Sequence, residues 1–88
     1  MRVSETRSRD ILVLDDDEVV LLAMKETLLR ERYRVQAFTS AKDALVALEN
    51  TRFATIISDH RMPEMTGLEF LDKCKQIQPN ASRILITG

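Results

Sequence analysis

The sequence predicts a single α/β domain, in which helices cover both faces of a parallel β-sheet. Short apolar runs alternate along the chain with longer segments whose apolar residues recur at helical spacing, in the order βαβαβαβ. Parallel strands need crossover connections of this kind, and such crossovers are right-handed. With 88 residues, 44% of them hydrophobic and 31% charged, the chain is long enough for one domain and too short for two.

The first two strands and the first helix follow a polar N-terminal tail, which we predict for residues 1–9. Residues 11–14, ILVL, are continuously apolar, as expected for a central strand, β1, that is covered on both faces. Residues 18–33 contain no Gly or Pro and predict a helix, α1, of about four turns. Residues 34–38, RVQAF, alternate polar with apolar side chains, which suits a strand, β2, nearer an edge of the sheet.

A second helix and a third strand follow. Residues 39–50 predict α2, because Ser40 with Asp43 three positions later is close to a capping box and an apolar stripe follows it. Residues 54–58, ATIIS, predict the buried strand β3. The alternation of strand and helix is therefore maintained through the middle of the chain.

The last predicted helix and strand lie beyond a loop. Residues 59–67, DHRMPEMTG, contain Pro63 and Gly67, which argue against further strand or helix there. Residues 68–77 have the periodicity of an amphipathic helix, α3. Residues 83–87, RILIT, predict the fourth strand, β4.

The composition argues against several classes of function. Thirteen Lys and Arg against fourteen Asp and Glu give a net charge of -1, with no basic stripe to hold nucleic acid. One cysteine, Cys74, and one histidine, His60, make neither a disulfide nor a zinc cluster. Cys74 shares an apolar helix face with Phe70 and Ile77, so we expect it to pack in the core. No signal peptide or membrane span is evident, and we expect a cytoplasmic protein that does not bind membranes.

Carboxylates follow two of the predicted strands. Asp15, Asp16 and Asp17 come directly after β1, and Asp59 comes at the end of β3. In doubly wound sheets, sites lie where the strand order reverses, which is between β1 and β3 for the flavodoxin-like order. Asp15, Asp16 and Asp59 would then converge, and a hard divalent cation such as Mg²⁺ would relieve their repulsion. The alternative is that the three consecutive carboxylates only stabilise the N-terminus of α1.

The loop after β3 favours the metal-site interpretation and indicates a family. It places Met62, Pro63 and Gly67 three, four and eight residues after Asp59. This Asp-x-x-Met-Pro-x-x-x-Gly spacing resembles the phosphoacceptor loop of response-regulator receiver domains. The paired acids after ILVL and the hydroxyl ending RILITG follow the same family order, so the resemblance covers nearly the whole chain.

The resemblance implies a role for each matching position. Asp59 would be the residue that is phosphorylated. Asp16 and Asp59 would ligate Mg²⁺ directly, together with the backbone carbonyl of Arg61, and Asp15 would act through a coordinated water. Thr87 would be the switch hydroxyl that moves to bond the phosphoryl group. A carboxylate beside Mg²⁺ can act as a nucleophile toward phosphorus, so the acid cluster has a chemical purpose in this interpretation.

The resemblance also assigns the remaining residues of the motif and a partner. Met62, Pro63 and Gly67 would shape the loop, while Asp17 would only cap α1 and His60 would shape access to the site. The phosphoryl donor would be a histidine kinase or a phosphotransfer protein. Such a domain would be a signalling module of a two-component system rather than an enzyme, catalysing at most its own phosphorylation and dephosphorylation.

In the family, a further helix, strand and helix follow the switch hydroxyl, together with a lysine and an aromatic residue that complete the site. The resemblance therefore implies a flavodoxin-like doubly wound sheet of order 2-1-3-4, truncated after β4, with residues 10–88 as a partial receiver domain. An open edge at β4 would then predict self-association of the chain. A second surface for this association would be the α1 face with Val20, Met24 and Leu28.

Two other functions are compatible with parts of the sequence. A degenerate receiver would bind Mg²⁺ without phosphotransfer and act only in dimerisation or interaction. A haloacid-dehalogenase-like phosphatase would use Asp15 as nucleophile and Asp17 as acid/base, since LDDDEV contains Asp-x-Asp after a strand. The phosphatase interpretation gives no account of the sequence DHRMPEMTG.

Overall fold

The computed structural model describes residues 9–87 and has the predicted element order within them. None of the helices in this part of the chain is long and apolar enough to cross a membrane. Residues 1–8 of the predicted tail lie outside the described residues. The strands are β1 (Asp10–Leu14), β2 (Arg34–Phe38), β3 (Thr55–Asp59) and β4 (Ser82–Ile86), and the helices are α1 (Glu18–Arg30), α2 (Ala41–Asn50) and α3 (Gly67–Ile77).

The four strands form one parallel sheet in the order β2-β1-β3-β4. The α/β prediction and the strand order 2-1-3-4 are therefore confirmed, with β2 at an edge as its alternating sequence indicated. Leu14 lies opposite Ser58 where β1 pairs with β3, and Asp59 lies opposite Ile86 where β3 pairs with β4. The carboxyl ends of β1, β3 and β4 consequently meet at one edge of the sheet.

The core occupies both faces of β1. Residues 11–14 of this strand are at most 4% exposed, which confirms a central strand covered on both sides. On one face Leu12 packs in a cluster with Phe70 of α3, and α2 contributes further residues. On the other face Val13 packs in a cluster with Leu21 of α1. The two helical layers therefore hold β1, and the acidic residues that follow it, in a fixed position.

Cys74 lies in the first of these clusters, as its helical spacing predicted. Its side chain is fully buried with Phe70, and Ile77 packs against the same cluster. Burial raises the pKa of the Cys74 thiol to about 12. The cysteine is therefore a packing residue and not a reactive thiolate.

Helix α1 is shorter than the sequence predicted. It ends at Arg30 and not at residue 33, because Arg32 adopts a left-handed φ of 68° that cannot continue a right-handed helix. The Arg9 guanidinium donates hydrogen bonds to the carbonyls of Glu31, at 2.9 Å, and Arg32, at 3.2 Å. It also stacks 4.2 Å from the ring centroid of Tyr33. Arg9, which we predicted within the tail, thus caps the end of α1.

The helix starts differ in detail from the predicted caps. At α2 the Ser40 hydroxyl accepts a hydrogen bond from the Asp43 amide at 3.3 Å, which is half of a capping box. The complete box belongs to α3, where Thr66 and Glu69 each bond the other's backbone amide, at 3.2 and 2.8 Å. This box starts α3 at Gly67, one residue earlier than predicted.

Strands β3 and β4 are each displaced by one residue from the predicted ranges. β3 covers Thr55–Asp59 and not residues 54–58, so Asp59 is the last residue of the strand. β4 covers Ser82–Ile86 and not residues 83–87. Thr87 therefore lies immediately beyond the strand.

Candidate functional site

Three carboxylates meet at the carboxyl edge of the sheet. Asp15 directly follows β1, and its amide donates a hydrogen bond to the Phe38 carbonyl at the end of β2, at 3.1 Å. Asp59 ends the neighbouring strand β3. One carboxylate oxygen from each of Asp15, Asp16 and Asp59 lies within 4.8 Å of the others. The structure thus brings together the three acids that the sequence predicted would converge.

The three carboxylates differ in exposure, and this affects their charge. Asp15 is buried, Asp59 is half-buried and Asp16 is exposed. Burial raises the pKa of Asp15, and the nearby charges of Asp59, Asp16 and Asp17 raise it further. A hydrogen bond from the Asp17 amide, at 2.9 Å, acts in the opposite direction. An added positive charge would relieve this repulsion.

The donor set fits a hard cation. The pocket offers carboxylate oxygens only, with no thiolate or imidazole in the cluster. Mg²⁺ binds through one or two carboxylates and keeps several waters, which suits a pocket whose three acids range from the buried Asp15 to the exposed Asp16. Asp15, Asp16 and Asp59 are therefore the residues that could hold the ion.

Asp17 has a different role from Asp15 and Asp16. Its carboxylate accepts hydrogen bonds from the amides of Val19, at 2.9 Å, and Val20, at 3.3 Å, as the N-cap of α1. The prediction that Asp17 caps the helix is confirmed. The triplet Asp-Asp-Asp is thus two pocket acids followed by a cap.

The loop between Asp59 and α3 is closed by its own backbone. The Gly67 amide donates to the His60 carbonyl at 2.9 Å. A Cβ at Gly67 would clash with the Asp59 carbonyl and would lie 2.6 Å from Leu85 Cδ1, so the close approach requires glycine. Of the other motif residues, Met62 packs against the core cluster, while Arg61 and Pro63 are exposed.

Thr87 lies next to this loop. The His60 amide donates to the Ile86 carbonyl at 3.2 Å, which continues the β3–β4 ladder one step beyond the paired Asp59 and Ile86. Ile86 directly precedes Thr87, whose side chain is exposed. The predicted switch residue is therefore one residue along the chain from the partner of Asp59.

Two polar groups beside the acids were not predicted. The fully buried hydroxyl of Ser58 donates to the Asp59 carbonyl at 2.8 Å. His60 Nδ1 is buried and has no hydrogen-bond partner within residues 9–87. A serine directly after the apolar pair Ile56 and Ile57 was the available signal for Ser58, whereas no sequence pattern indicates a buried imidazole nitrogen.

Residues 11–88 match the family model for the response regulator receiver domain. The chain belongs to this family. Receiver domains are signalling modules of two-component systems that bind Mg²⁺ at an acidic pocket. They interact with histidine kinases or phosphotransfer proteins.

Individual response regulators are similar over most of the chain. The C4-dicarboxylate transport transcriptional regulatory protein DctD of Rhizobium meliloti is 37% identical over 78 residues, which cover 89% of this chain. The matched part is 17% of the DctD length, so this receiver chain spans about one sixth of that relative. The similarity therefore concerns the receiver domain alone.

Solved receiver structures share the fold. A CheY-like receiver domain protein from Methanospirillum hungatei superposes with a TM-score of 0.88 at 33% identity, covering 92% of this chain and 65% of that one. A response regulator protein from Burkholderia pseudomallei, solved with a phosphorylated aspartic acid, a calcium ion and citrate, gives a TM-score of 0.84 at 28% identity. That match covers 90% of this receiver and 46% of the Burkholderia chain.

Proposed function

We propose that this receiver accepts a phosphoryl group on Asp59 in a Mg²⁺-dependent reaction, with a histidine kinase or a phosphotransfer protein as donor. The observation that carries the proposal is the convergence of Asp15, Asp16 and Asp59 within 4.8 Å at the ends of two paired strands. The phosphorylated aspartic acid in the Burkholderia receiver supports the same chemistry in a related fold.

In this proposal each acid has its own role. Asp16, Asp59 and the backbone carbonyl of Arg61 would hold Mg²⁺ directly, and Asp15 would act through a coordinated water. When bound, the ion neutralises charge on the oxygens of the transferring phosphoryl group. A carboxylate oxygen of Asp59 attacks the phosphorus atom of the donor's phosphohistidine, and the P–N bond breaks as the O–P bond forms. The departing imidazole takes up a proton from water.

The loop and the switch complete the proposal. Met62, Pro63 and Gly67 hold the loop in which the Arg61 carbonyl lies, with Met62 anchored in the core cluster and Gly67 bonded to the His60 carbonyl. Thr87 reports phosphorylation by moving its hydroxyl toward the phosphoryl group on Asp59. Residues 10–88 form the domain that does this, residues 1–9 precede it, and the cytoplasm is its proposed location.

The direct test is phosphorylation of the purified chain by a small acyl phosphate in the presence of Mg²⁺. We expect an increase of one phosphoryl group in intact mass, mapped to Asp59 and absent from Asp59→Asn. Asp17→Asn is the matched control, since this carboxylate caps α1 and Asn caps equally well. An adduct on Asp15 would instead support the phosphatase-like alternative. Mg²⁺ binding without any adduct would support a degenerate receiver.

We also propose that the chain self-associates through the β4 edge and the exposed part of α1. Within the described residues β4 pairs only with β3, and Ile84 and Ile86 are 46% and 38% exposed. Val20 on α1 is likewise exposed. Exposed apolar side chains on an open strand edge promote pairing with another chain.

Sedimentation at tens of micromolar tests this association. We expect Ile84→Lys to return the chain to monomer, because it places a charge on the open strand. Val46→Lys is the control, since Val46 is 54% exposed on α2, across the sheet from α1. A monomeric wild-type chain would contradict the proposal.

A further inference from the structure

His60 connects the proposed phosphoacceptor to two other elements through its backbone. Its amide donates to the Ile86 carbonyl at 3.2 Å, and its carbonyl accepts from the Gly67 amide at 2.9 Å. The Ile86 carbonyl belongs to the peptide group that joins Ile86 to Thr87. His60 is therefore bonded to the peptide that carries Thr87 and to the first residue of α3, while it directly follows Asp59.

The His60 side chain carries a polar atom without a partner. Nδ1 is buried and makes no hydrogen bond within residues 9–87. A buried, unpaired polar group destabilises the state in which it occurs and requires an explanation. The residue as a whole is only half-buried, but its Nδ1 is enclosed. A second state in which Nδ1 has a partner would be favoured by that hydrogen bond.

Thr87 is a neighbouring residue with suitable side-chain chemistry. Asp59 and Ile86 are paired across β3 and β4. His60 directly follows Asp59, and Thr87 directly follows Ile86, so His60 and Thr87 occupy corresponding positions at the ends of the two strands. A hydroxyl can accept one hydrogen bond while it donates another. The Ser58 hydroxyl could also accept, but it is turned to the Asp59 carbonyl and makes no bond with Nδ1. Thr87 is exposed and lies beyond the strand end, where its side chain is free to turn.

We propose that His60 is a positioning residue for Thr87: Nδ1–H donates to the Thr87 hydroxyl when this hydroxyl turns toward phosphorylated Asp59. The Thr87 hydroxyl then donates to a phosphoryl oxygen, and the two hydrogen bonds form one chain. Consecutive hydrogen bonds polarise and strengthen one another. The inference rests on the proposed function, and it gives His60 a part in the switch without contact with the phosphoryl group.

The first test is NMR of the ¹⁵N-labelled chain with Mg²⁺ and beryllofluoride as the phosphoryl analogue. His60 is the only histidine, so its ring signals need no assignment by mutation. We expect a slowly exchanging Nδ1–H signal to appear on addition of the analogue. Thr87→Val should lack this signal because it has no hydroxyl, and Thr87→Ser should retain it.

The second test compares the affinity of His60 variants for the same analogue. His60→Phe should bind it about fivefold more weakly, the effect of one lost hydrogen bond. His60→Asn should bind like the wild type, because its Nδ2 lies the same number of bonds from Cα as the imidazole Nδ1. This rescue separates a donated hydrogen bond from simple packing.

The outcomes distinguish the two proposals. If the wild-type chain folds but does not bind the analogue, the proposed function fails and the role of His60 falls with it. If the analogue binds and no protected ring N–H appears, only the role of His60 is wrong. The same conclusion follows if Thr87→Val keeps the protected signal or if His60→Phe binds as tightly as the wild type.

Discussion

The side-chain carbonyl of Gln78 accepts a hydrogen bond from the backbone amide of Phe53, at 2.9 Å. The amide group of the same side chain donates to the carbonyls of Leu48, at 2.8 Å, and Thr51, at 2.6 Å. Gln78 follows α3, and its three partners lie at the end of α2 and in the connection to β3. One side chain thus joins two helices at the edge of the sheet opposite the acidic pocket.

We predict that Gln78→Leu lowers the free energy of unfolding by about 2–3 kcal/mol, since it removes three hydrogen bonds and leaves backbone groups unpaired. Urea unfolding followed by circular dichroism measures this loss. Gln76→Leu is the matched control, because Gln76 is exposed on α3. Phosphorylation of Asp59 at low denaturant should be unchanged in Gln78→Leu. Equal stability of the Gln78→Leu and Gln76→Leu chains would show that the hydrogen bonds of Gln78 contribute little to the free energy of unfolding.

Gly67→Ala should damage both stability and phosphoryl transfer. The added Cβ would clash with the Asp59 carbonyl and lie 2.9 Å from His60 Cα, so the loop or the start of α3 must move. We expect a loss of about 1–3 kcal/mol in unfolding free energy. The rate of acyl-phosphate labelling should fall by at least tenfold because Asp59 is displaced.

Leu68→Ala provides the comparison for this variant. Leu68 is the next residue of α3 and its side chain is exposed, so its truncation leaves the loop in place. Wild-type stability and labelling rate in Gly67→Ala would contradict the requirement for glycine, because the backbone contacts would then have to relax without consequence.

The sequence was sufficient for the fold and for the position of the acidic pocket, and the reason is physical. A strand covered on both faces must be continuously apolar, so residues 11–14 could be recognised without knowledge of their partners. Parallel strands end at a common edge, so the acids that follow β1 and end β3 had to meet once the strand order was known. Local pattern and topology together therefore located Asp15, Asp16 and Asp59.

Details that depend on distant contacts could not be predicted. The end of α1 is set by Arg32 in a left-handed conformation and by capping from Arg9, which is 23 residues away in sequence. The hydrogen bonds of the Gln78 side chain likewise depend on backbone groups that lie near it only in the folded chain. The Thr66–Glu69 capping box is different, because its Thr-x-x-Glu pattern is visible in the sequence and would have placed the start of α3 correctly.

The pH dependence of stability should reveal the buried acid. The pKa of Asp15 is raised above 3.8 in the folded chain by burial and by nearby carboxylates. The folded state therefore holds this proton more tightly than the unfolded state. The ionised group disfavours folding above its raised pKa, and this disadvantage disappears as the pH falls through that pKa toward 3.8.

Asp15→Asn removes the charge and should be more stable than the wild type at pH 7 without divalent metal. The difference in stability between the two chains should shrink as the pH falls through the raised pKa of Asp15. In the presence of Mg²⁺ the order should reverse, so that the wild type is the more stable chain. Thermal unfolding of both chains in EDTA and in Mg²⁺, across this pH range, measures the effect. A lower stability of Asp15→Asn in EDTA would mean that the hydrogen bond from the Asp17 amide outweighs the repulsion.

The affinity for Mg²⁺ should depend on the carboxylate of Asp16 much more than on that of the adjacent Asp17. Asp16 contributes an oxygen to the acidic cluster, whereas the carboxylate of Asp17 is bonded to the amides of Val19 and Val20. We expect Asp16→Asn to weaken Mg²⁺ binding by about tenfold or more, because a charged ligand of the proposed site is replaced by a neutral one. Asp17→Asn should bind Mg²⁺ within about twofold of the wild type, since it lowers the local negative charge without removing a ligand. Isothermal titration at constant ionic strength gives both affinities, and equal losses in the two variants would indicate that the ion responds only to the summed charge of the pocket.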